Sequence, residues 1–120
     1  MAGSPGAARA AGPYIPCRGD VGWMDLDPQA GREQNGRRPV VVFSPAAFNK
    51  QGLAFVCPVT NQAKGHPFEV PLPPACGTTG VVLAWHLRSL DWRARSFVKK
   101  GVIPDEVVNE VLGMVRGLLT

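Results

Sequence analysis

Short apolar runs bounded by glycine or proline are the feature that most constrains the fold of this chain. Its 120 residues include 14 glycines and 12 prolines, so turns are frequent. Frequent turns between short apolar runs favour an all-β or mostly β domain. Hydrophobic residues make up 45% of the chain and charged residues 18%, which is typical of a single globular domain rather than a disordered chain.

Six segments are predicted to form strands. Pro39–Ser44 is continuously apolar, so we expect it to be buried on both faces. Leu53–Thr60 is also a predicted strand, and Pro58 within it indicates an edge, a bulge or a strand end. The remaining predicted strands are Val21–Asp27, the half-buried Pro67–Leu72, one or two strands within Gly80–Leu90, and a short strand at Ala94–Val98.

The segments outside these strands are polar or rich in small residues. Residues 1–13 are mostly Ala, Gly, Ser and Pro, which predicts a flexible tail before a domain spanning 14–120. Pro28–Arg38 is a polar, charged loop near the longest that a compact domain tolerates, and such loops are often functional. Pro45–Gly52 is predicted to be a turn.

One helix is predicted, and it begins near Pro104, a residue suited to a first helical turn. Asp105 and Glu106 follow and complement the positive end of the helix dipole. Apolar residues then recur at spacings of three and four, at Val107, Val108, Val111, Leu112, Val115, Leu118 and Leu119. We therefore expect five to seven short antiparallel strands, arranged as a small barrel that this helix closes.

The three cysteines, Cys17, Cys57 and Cys76, are odd in number, and none form a C-x-x-C pair. This argues against a disulfide framework and a zinc site, and reduced thiols fit the cytoplasm. No stretch approaches the ~18 apolar residues of a membrane-spanning helix. The N-terminal residues also lack the apolar segment of a secretory signal.

Positive charge is concentrated near the C-terminal third of the chain. The net charge is +4, and the window 88–100 alone holds five basic residues and one acidic residue. Trp85, Trp92 and Phe97 are interleaved with the cations Arg88, Arg93, Arg95, Lys99 and Lys100. Cations beside aromatic rings are typical of a surface that binds single-stranded nucleic acid. The alternative, a solvated strand face with its aromatic rings turned inward, is equally compatible with the pattern.

Few residues offer the chemistry of a nuclease. RNA is cleaved when its 2′-hydroxyl attacks the adjacent phosphorus, a reaction that needs proton transfer and charge stabilisation. Arg37 and Arg38 end the long loop, and Arg38 precedes a proline that holds its backbone extended. His66 and His86 lie in separate segments, so a structural role is the default for each. Asp25 and Asp27 have no third carboxylate partner and make a weak metal site.

Four blocks of sequence follow one another along the chain, namely G-D-V-G-W-M-D-L-D-P, G-R-E-Q-N-G-R-R-P-V-V-V, C-P-V-T-N-Q-A-K-G-H-P-F-E-V-P-L and S-L-D-W-R-A-R. In this order and spacing they resemble the MazF/PemK toxins, and the resemblance covers the chain from Tyr14 to Thr120. The resemblance implies a homodimeric barrel of the SH3-like, CcdB-like type. It also implies a metal-independent toxin endoribonuclease that cuts messenger RNA at short sequences, needs no cofactor, leaves a 2′,3′-cyclic phosphate and a 5′-hydroxyl, and is inhibited by a MazE-like antitoxin.

The resemblance also implies site residues. Arg38 matches the catalytic arginine of the family, Thr60 matches the threonine that binds the scissile phosphate, and Glu33 matches a proposed helper in proton transfer or loop positioning. Gln62 and Lys64 match groove-lining residues. Together with the cations found above, the predicted RNA-binding residues are Arg37, Gln62, Lys64, Arg88, Arg93 and Arg95.

The chain departs from the family pattern at three positions. His66 replaces the usual tyrosine before P-F-E-V, and Trp85-His86 replaces a frequent Asp-Gln. These changes bear on base preference and antitoxin choice more than on the chemistry. Two other functions remain open, a gyrase-poisoning toxin of the CcdB-like kind and a barrel that binds RNA without cutting it.

Overall fold

A seven-stranded antiparallel sheet and one long helix make up most of the computed structural model, which describes residues 14–26 and 36–120. The order of the elements is β1 (Asp20–Asp25), β2 (Arg37–Val42), α1 (Ala46–Asn49), β3 (Leu53–Thr60), β4 (Glu69–Pro71), β5 (Val81–Leu83), a 3₁₀ turn (Ala84–His86), β6 (Arg88–Asp91), β7 (Val98–Val102) and α2 (Asp105–Leu119). Across the sheet the strands lie in the order β4-β5-β3-β2-β1-β7, and β6 pairs with β3. The predicted mostly β fold with a C-terminal helix is confirmed.

The valines of β2 are buried on both faces of the sheet, as their continuous apolar run predicts. Val41 packs with Val21 and other side chains in a core that α2 covers. Val40 and Val42 point the other way, into a second core that contains Trp92. All three valines are fully buried, so β2 separates the two cores and belongs to both.

Pro58 lies in the interior of β3, and β3 itself has strands on both sides. On one side β3 pairs with β2, where Pro58 lies opposite Val40. On the other side β3 pairs with β6 through residues 53–56 and with β5 through residues 59 and 60. Pro58 therefore falls where β3 changes partner, a position that tolerates a residue without an N–H donor. The bounds predicted for this strand are confirmed, whereas the edge position is wrong.

The predicted strand at Ala94–Val98 is wrong, because residues 92–96 form a turn and the last strand, β7, begins only at Val98. The Asp91 carboxylate accepts a hydrogen bond from the Ala94 N–H at 2.9 Å, and the Asp91 carbonyl accepts one from the Arg95 N–H at 3.1 Å. Aspartate stabilises turns in this way by bonding to its own neighbouring backbone.

The segment Pro45–Gly52, predicted as a turn, contains the single-turn helix α1, which ends at the fully buried Asn49. The Asn49 amide donates to the carbonyls of Pro16 and Ser44, both at 2.9 Å, and its backbone carbonyl accepts the Trp92 indole N–H at 2.8 Å. Each of these buried polar groups is therefore satisfied, which is the condition for burying them at low cost.

Helix α2 covers the first core along only part of its length. Val108 and Val111 are buried, and Val107, Leu112 and Val115 pack beside them, as their spacing predicts. The predicted stripe does not extend to the end of the helix, because Leu118 is 49% exposed and Leu119 is 79% exposed. The last turn thus passes beyond the core. None of the helices in the described ranges is long and apolar enough to cross a membrane.

A buried carboxylate ties the start of β1 to neighbouring elements. Asp20 is 3% exposed and accepts hydrogen bonds from the Tyr14 hydroxyl and, at 2.9 Å, from the Cys17 N–H. Its other oxygen pairs with the Lys99 ammonium of β7 at 3.3 Å. Burial, reinforced by the Asp20 carboxylate, raises the pKa of Tyr14. Burial also raises the pKa of the Cys57 thiol to about 12, so this thiol stays protonated and unreactive.

Replacing each of two glycines with alanine tests the packing. A Cβ at Gly101 of β7 would lie 2.2 Å from the Cys76 carbonyl oxygen, whereas one at Gly113 of α2 would meet no atom within 4 Å. We expect Gly101→Ala to lower the free energy of unfolding by about 1–3 kcal/mol. Gly113→Ala should raise it by up to about 1 kcal/mol through helix propensity. Chemical denaturation of both variants measures this, and equal stability of the two would contradict the described packing.

Candidate active site

Arg38 and Thr60 come together because β2 and β3 pair in one particular register. Val40 lies opposite Pro58, and Val42 lies opposite Val56. Counted on by two residues from the last pair, Arg38 of β2 comes level with Thr60 of β3, and residues level with each other in an antiparallel pair project from the same face. The two side chains that the sequence singled out line the same two clefts and are therefore neighbours.

Three clefts meet at Thr60. The first, here called the Trp23 cleft, has a volume of about 430 Å³ and is lined by Trp23, Arg38, Pro39, Val59, Thr60, Asn61, Gln62 and Thr78. The second, the His86 cleft, has a volume of about 280 Å³ and is lined by Leu26, Arg38, Pro58, Val59, Thr60, Leu83, His86 and Arg88. The third, the Trp85 cleft, has a volume of about 320 Å³ and is lined by Thr60, Gln62, Lys64, His66, Glu69, Leu83 and Trp85.

The backbone that follows Thr60 fixes how the Thr60 hydroxyl can form hydrogen bonds. Its oxygen accepts a hydrogen bond from the Gln62 N–H at 3.1 Å. A hydroxyl has one hydrogen to donate and two lone pairs to accept with. Since a lone pair takes the Gln62 contact, the hydroxyl hydrogen can be donated to an anion in the clefts.

Arg37 and Arg38 are neighbours in β2 but have different surroundings. The Arg37 guanidinium pairs with Asp25 at 3.4 Å and donates to the carbonyls of Trp23 at 3.2 Å and Ser96 at 3.0 Å. Arg38 is exposed, and within residues 14–26 and 36–120 its guanidinium makes one hydrogen bond, to the Arg37 carbonyl at 3.1 Å. Arg37 thus braces the strand ends, whereas Arg38 offers most of its donors to the Trp23 and His86 clefts.

The loop after Thr60 is fixed by the side chains of Glu69 and His66. The Glu69 carboxylate accepts hydrogen bonds from the N–H groups of Lys64, at 3.0 and 3.1 Å, and of Gly65, at 3.1 Å. Gly65 has φ +74°, a conformation that glycine adopts without strain. The His66 Nδ1 accepts the Phe68 N–H at 3.1 Å. Lys64 and Gln62 are thereby carried to the wall of the Trp85 cleft.

The basic window divides into residues that face the clefts and residues that hold the fold. Arg88 lines the His86 cleft. Arg93 donates to the Lys50 carbonyl at 3.2 Å and lies over the Trp92 ring, and Arg95 donates to the carbonyls of Asp25 and Leu26 at 3.0 and 3.1 Å. None of the three clefts, as the described residues form them, includes Arg37, Arg93 or Arg95. The RNA-binding roles predicted for these three arginines stay predictions.

The aromatic residues of that window divide in the same way. Trp92 is 6% exposed, and Phe97 packs against the second core, so the inward-facing alternative holds for both. Trp85 is 39% exposed and lies in the wall of its cleft. The interleaving seen in the sequence therefore mixes core residues with one accessible ring.

The remaining site predictions concern Glu33, a metal site and the two histidines. Glu33 lies outside the described residues, as does Asp27. The described part of the chain contains no cluster of three His, Cys, Asp or Glu side chains suited to a metal ion. The two histidines both line clefts at Thr60, His66 beside Trp85 and His86 beside Arg38.

Sequence reasoning missed several residues of the clefts, namely Trp23, Asn61, Thr78 and Leu83. Asn61 follows Thr60 directly, and its side-chain oxygen accepts the Thr79 hydroxyl at 3.0 Å. Its position next to Thr60 in the sequence could have identified Asn61 as a residue of the clefts. Trp23 and Thr78 gave no such signal, because only the folded sheet brings them beside Arg38.

The comparison with protein families gives a match over residues 17–119 to the model of "PemK-like, MazF-like toxin of type II toxin-antitoxin system". The chain belongs to this family. It is 42% identical over 107 residues to the endoribonuclease toxin MazF of Escherichia coli K12, a match that covers 88% of this chain and 96% of the relative. It is also 42% identical over 108 residues to the endoribonuclease PemK of Escherichia coli, covering 86% of this chain and 81% of that protein.

Solved structures agree with the family assignment. MazF of Deinococcus radiodurans is 52% identical, with a TM-score of 0.80 over 89% of this chain and 98% of that one. A MazE–MazF complex of the same organism gives a TM-score of 0.78 at 46% identity, over 89% of this chain and 97% of that one. These likenesses support the small barrel expected from the sequence.

The contrast between the two adjacent arginines generates a stability test. Arg37→Ala removes an ion pair and two hydrogen bonds to carbonyls, so we expect the free energy of unfolding to fall by about 1–2 kcal/mol. Arg38→Ala should change it by less than about 0.5 kcal/mol. Urea titrations of the two variants give the comparison. A larger loss for Arg38→Ala than for Arg37→Ala would show that the roles are reversed.

Proposed function

We propose that the chain is a toxin endoribonuclease that cleaves single-stranded RNA at the junction of the Trp23 and His86 clefts. Family membership makes RNA cleavage the expected activity. The observation that carries the location is the juxtaposition of Arg38 and Thr60, which line both clefts. An extended strand of RNA would lie across the junction, with its scissile phosphate between these two side chains.

The proposed reaction is attack by a 2′-hydroxyl on the adjacent phosphorus. The 2′-hydroxyl gives up its proton to a base as the new bond closes a 2′,3′-cyclic phosphate, the bond to the 5′-oxygen breaks, and that oxygen leaves as a 5′-hydroxyl after gaining a proton from an acid. Negative charge grows on the two non-bridging oxygens, and groups positioned before the reaction stabilise it most effectively. Arg38 would supply positive charge and several N–H donors, and Thr60 would donate its hydroxyl hydrogen.

The proposal needs no metal ion, because the arginine supplies the positive charge at phosphorus. It needs a proton donor and a proton acceptor as well. Arginine is a poor base, since its guanidinium remains protonated in proteins. Glu33 is proposed to assist proton transfer or loop position, from a segment outside the described residues.

The proposed partners follow from charge and from the relatives. Gln62, Lys64 and Arg88 extend the site along adjoining clefts, where a polyanion would lie. Because a MazE–MazF complex is among the similar structures, we propose a MazE-like antitoxin whose acidic segment competes for this surface. A homodimer would offer a longer track than one small protomer. The cytoplasm, where RNA is the target, is the proposed compartment.

The other functions considered are less well supported. A gyrase poison has no use for an arginine and a threonine opposed at a cleft, and the curated relatives at 42% identity are endoribonucleases. A barrel that only binds RNA would leave it intact. Incubation of unstructured RNA with the protein in EDTA separates that case from cleavage.

Arg38→Ala should reduce RNA cleavage by about 10²–10³-fold, the usual cost of removing a key donor to a developing oxyanion. The assay uses an unstructured RNA with EDTA present throughout, and product ends are analysed for the cyclic phosphate. Arg116→Ala, which removes a cation from the far end of α2, is the matched control and should cut normally. Cleavage by Arg38→Ala within a few-fold of the unmodified protein, or activity that only Mg²⁺ restores, would contradict the proposal.

Thr60→Val should also impair cleavage severely, because it keeps the side-chain shape in β3 and removes the hydroxyl. Thr60→Ser retains the hydroxyl and should recover most of the activity. Single-turnover rates on the same RNA measure both. If Thr60→Val and Thr60→Ser are equally active, the phosphate is bound by a different group.

A further inference from the structure

Trp85 is an accessible aromatic ring beside the proposed scissile site. It is 39% exposed at the centre of the 3₁₀ turn. Its ring centroid lies 4.3 Å from that of His66 at an interplanar angle of 35°, and the His86 ring meets it edge-on at 5.8 Å. Exposed aromatic side chains carry an energetic cost in water that a stacked ligand removes.

The Trp85 cleft adjoins the junction of the Trp23 and His86 clefts, where cleavage is proposed. Thr60 and Leu83 line both the Trp85 cleft and the His86 cleft, which contains Arg38. A strand whose phosphate lies at Thr60 would therefore place a neighbouring nucleotide in the Trp85 cleft. The volume of about 320 Å³ is enough for one base.

The walls of the cleft offer polar groups as well as a ring. The His66 Nδ1 accepts a hydrogen bond from the Phe68 N–H, so the neutral ring carries its hydrogen on Nε2, where it can be donated. The Gln62 amide offers both a donor and an acceptor. Protein sites that recognise single-stranded RNA commonly combine a stacking ring with hydrogen bonds to the base edge.

The site is also built before any ligand arrives. The Glu69 carboxylate holds the backbone of Lys64 and Gly65, and the Phe68 N–H holds the His66 ring. The 3₁₀ turn that carries Trp85 is anchored at Ala84, which is fully buried in the first core. A preorganised site loses less conformational entropy on binding than a flexible one does.

From these observations we infer that Trp85 and His66 form a nucleobase-binding subsite, in which the base of a nucleotide next to the scissile phosphate stacks against Trp85. The inference rests on the proposed function and adds a determinant of base preference to it. His66 packs against one face of the indole ring and positions it, which leaves the other face for the base. Because a purine presents the larger stacking surface, purines should be preferred at this position.

The test measures binding of a short RNA that spans a mapped cleavage site, with a 2′-deoxy sugar at the attacking position so that it stays intact. Each base around the site is removed in turn to give a series of abasic oligonucleotides. At one position we expect the unmodified protein to lose about 5- to 150-fold in affinity, the range for one stacked base. Trp85→Ala should bind the complete RNA more weakly by the same factor, and removing the base at that position should not weaken its binding any further. Trp85→Phe should recover part of the affinity.

Phe55→Ala is the matched control. Phe55 is also 39% exposed and stacks on a second ring, Phe48, at 5.5 Å, but it lies outside the three clefts. Phe55→Ala should leave unchanged both the affinity for the complete RNA and the effect of removing each base. Sedimentation checks that every variant is folded and has the same oligomeric state.

The outcomes separate two failures. If the unmodified protein also leaves intact the same RNA with the 2′-hydroxyl present, incubated in parallel, the proposed function fails and the subsite fails with it. If RNA is cut but Trp85→Ala binds like Phe55→Ala, only the subsite is wrong. A third result would also overturn the subsite. If removing a base weakens binding by the same factor in Trp85→Ala as in the unmodified protein at every position, the ring and the base act independently.

Discussion

The pairing of β2 with β3 is the constraint on which the rest of this structure depends. Val40, Val41 and Val42 are fully buried, with alternate side chains in two separate cores. A slip of one residue would exchange every side chain between those cores, which strongly penalises any other register. Beyond the last β2–β3 pair, the same register brings Arg38 level with Thr60, and both residues line two shared clefts. Packing energy in the strand interior thus fixes the geometry of the site at its end.

The cations of this small domain divide between holding the fold and facing the clefts. Arg37 and Arg95 direct their guanidinium groups at backbone carbonyls of neighbouring strands and turns. Lys99 satisfies the buried Asp20 carboxylate. Arg38 and Arg88 remain to line the His86 cleft. A net charge therefore says less about a binding surface than the partners of each individual side chain do.

Backbone hydrogen bonds give the site its rigidity. Gln62 fixes the Thr60 hydroxyl from one side, and Glu69 holds the loop that carries Lys64. The 3₁₀ turn that presents Trp85 and His86 contacts α2, whose apolar residues close the first core. Elements with no direct role in chemistry thus determine where the groups that line the clefts can lie, and a preorganised arrangement of this kind favours stabilisation of developing charge.

The sequence by itself determined the elements with strong local signals. Leu53–Thr60 was predicted with its observed bounds because Gly52 and Asn61 flank an apolar run, and α2 followed from the spacing of its valines and leucines. Family resemblance added Arg38 and Thr60. Only the tertiary structure decided that Trp92 is buried, that Trp85 is accessible, and that Asp91 turns the chain where a strand was predicted. These outcomes depend on contacts between residues distant in sequence, such as Trp92 with Asn49, and local patterns carry no information about such contacts.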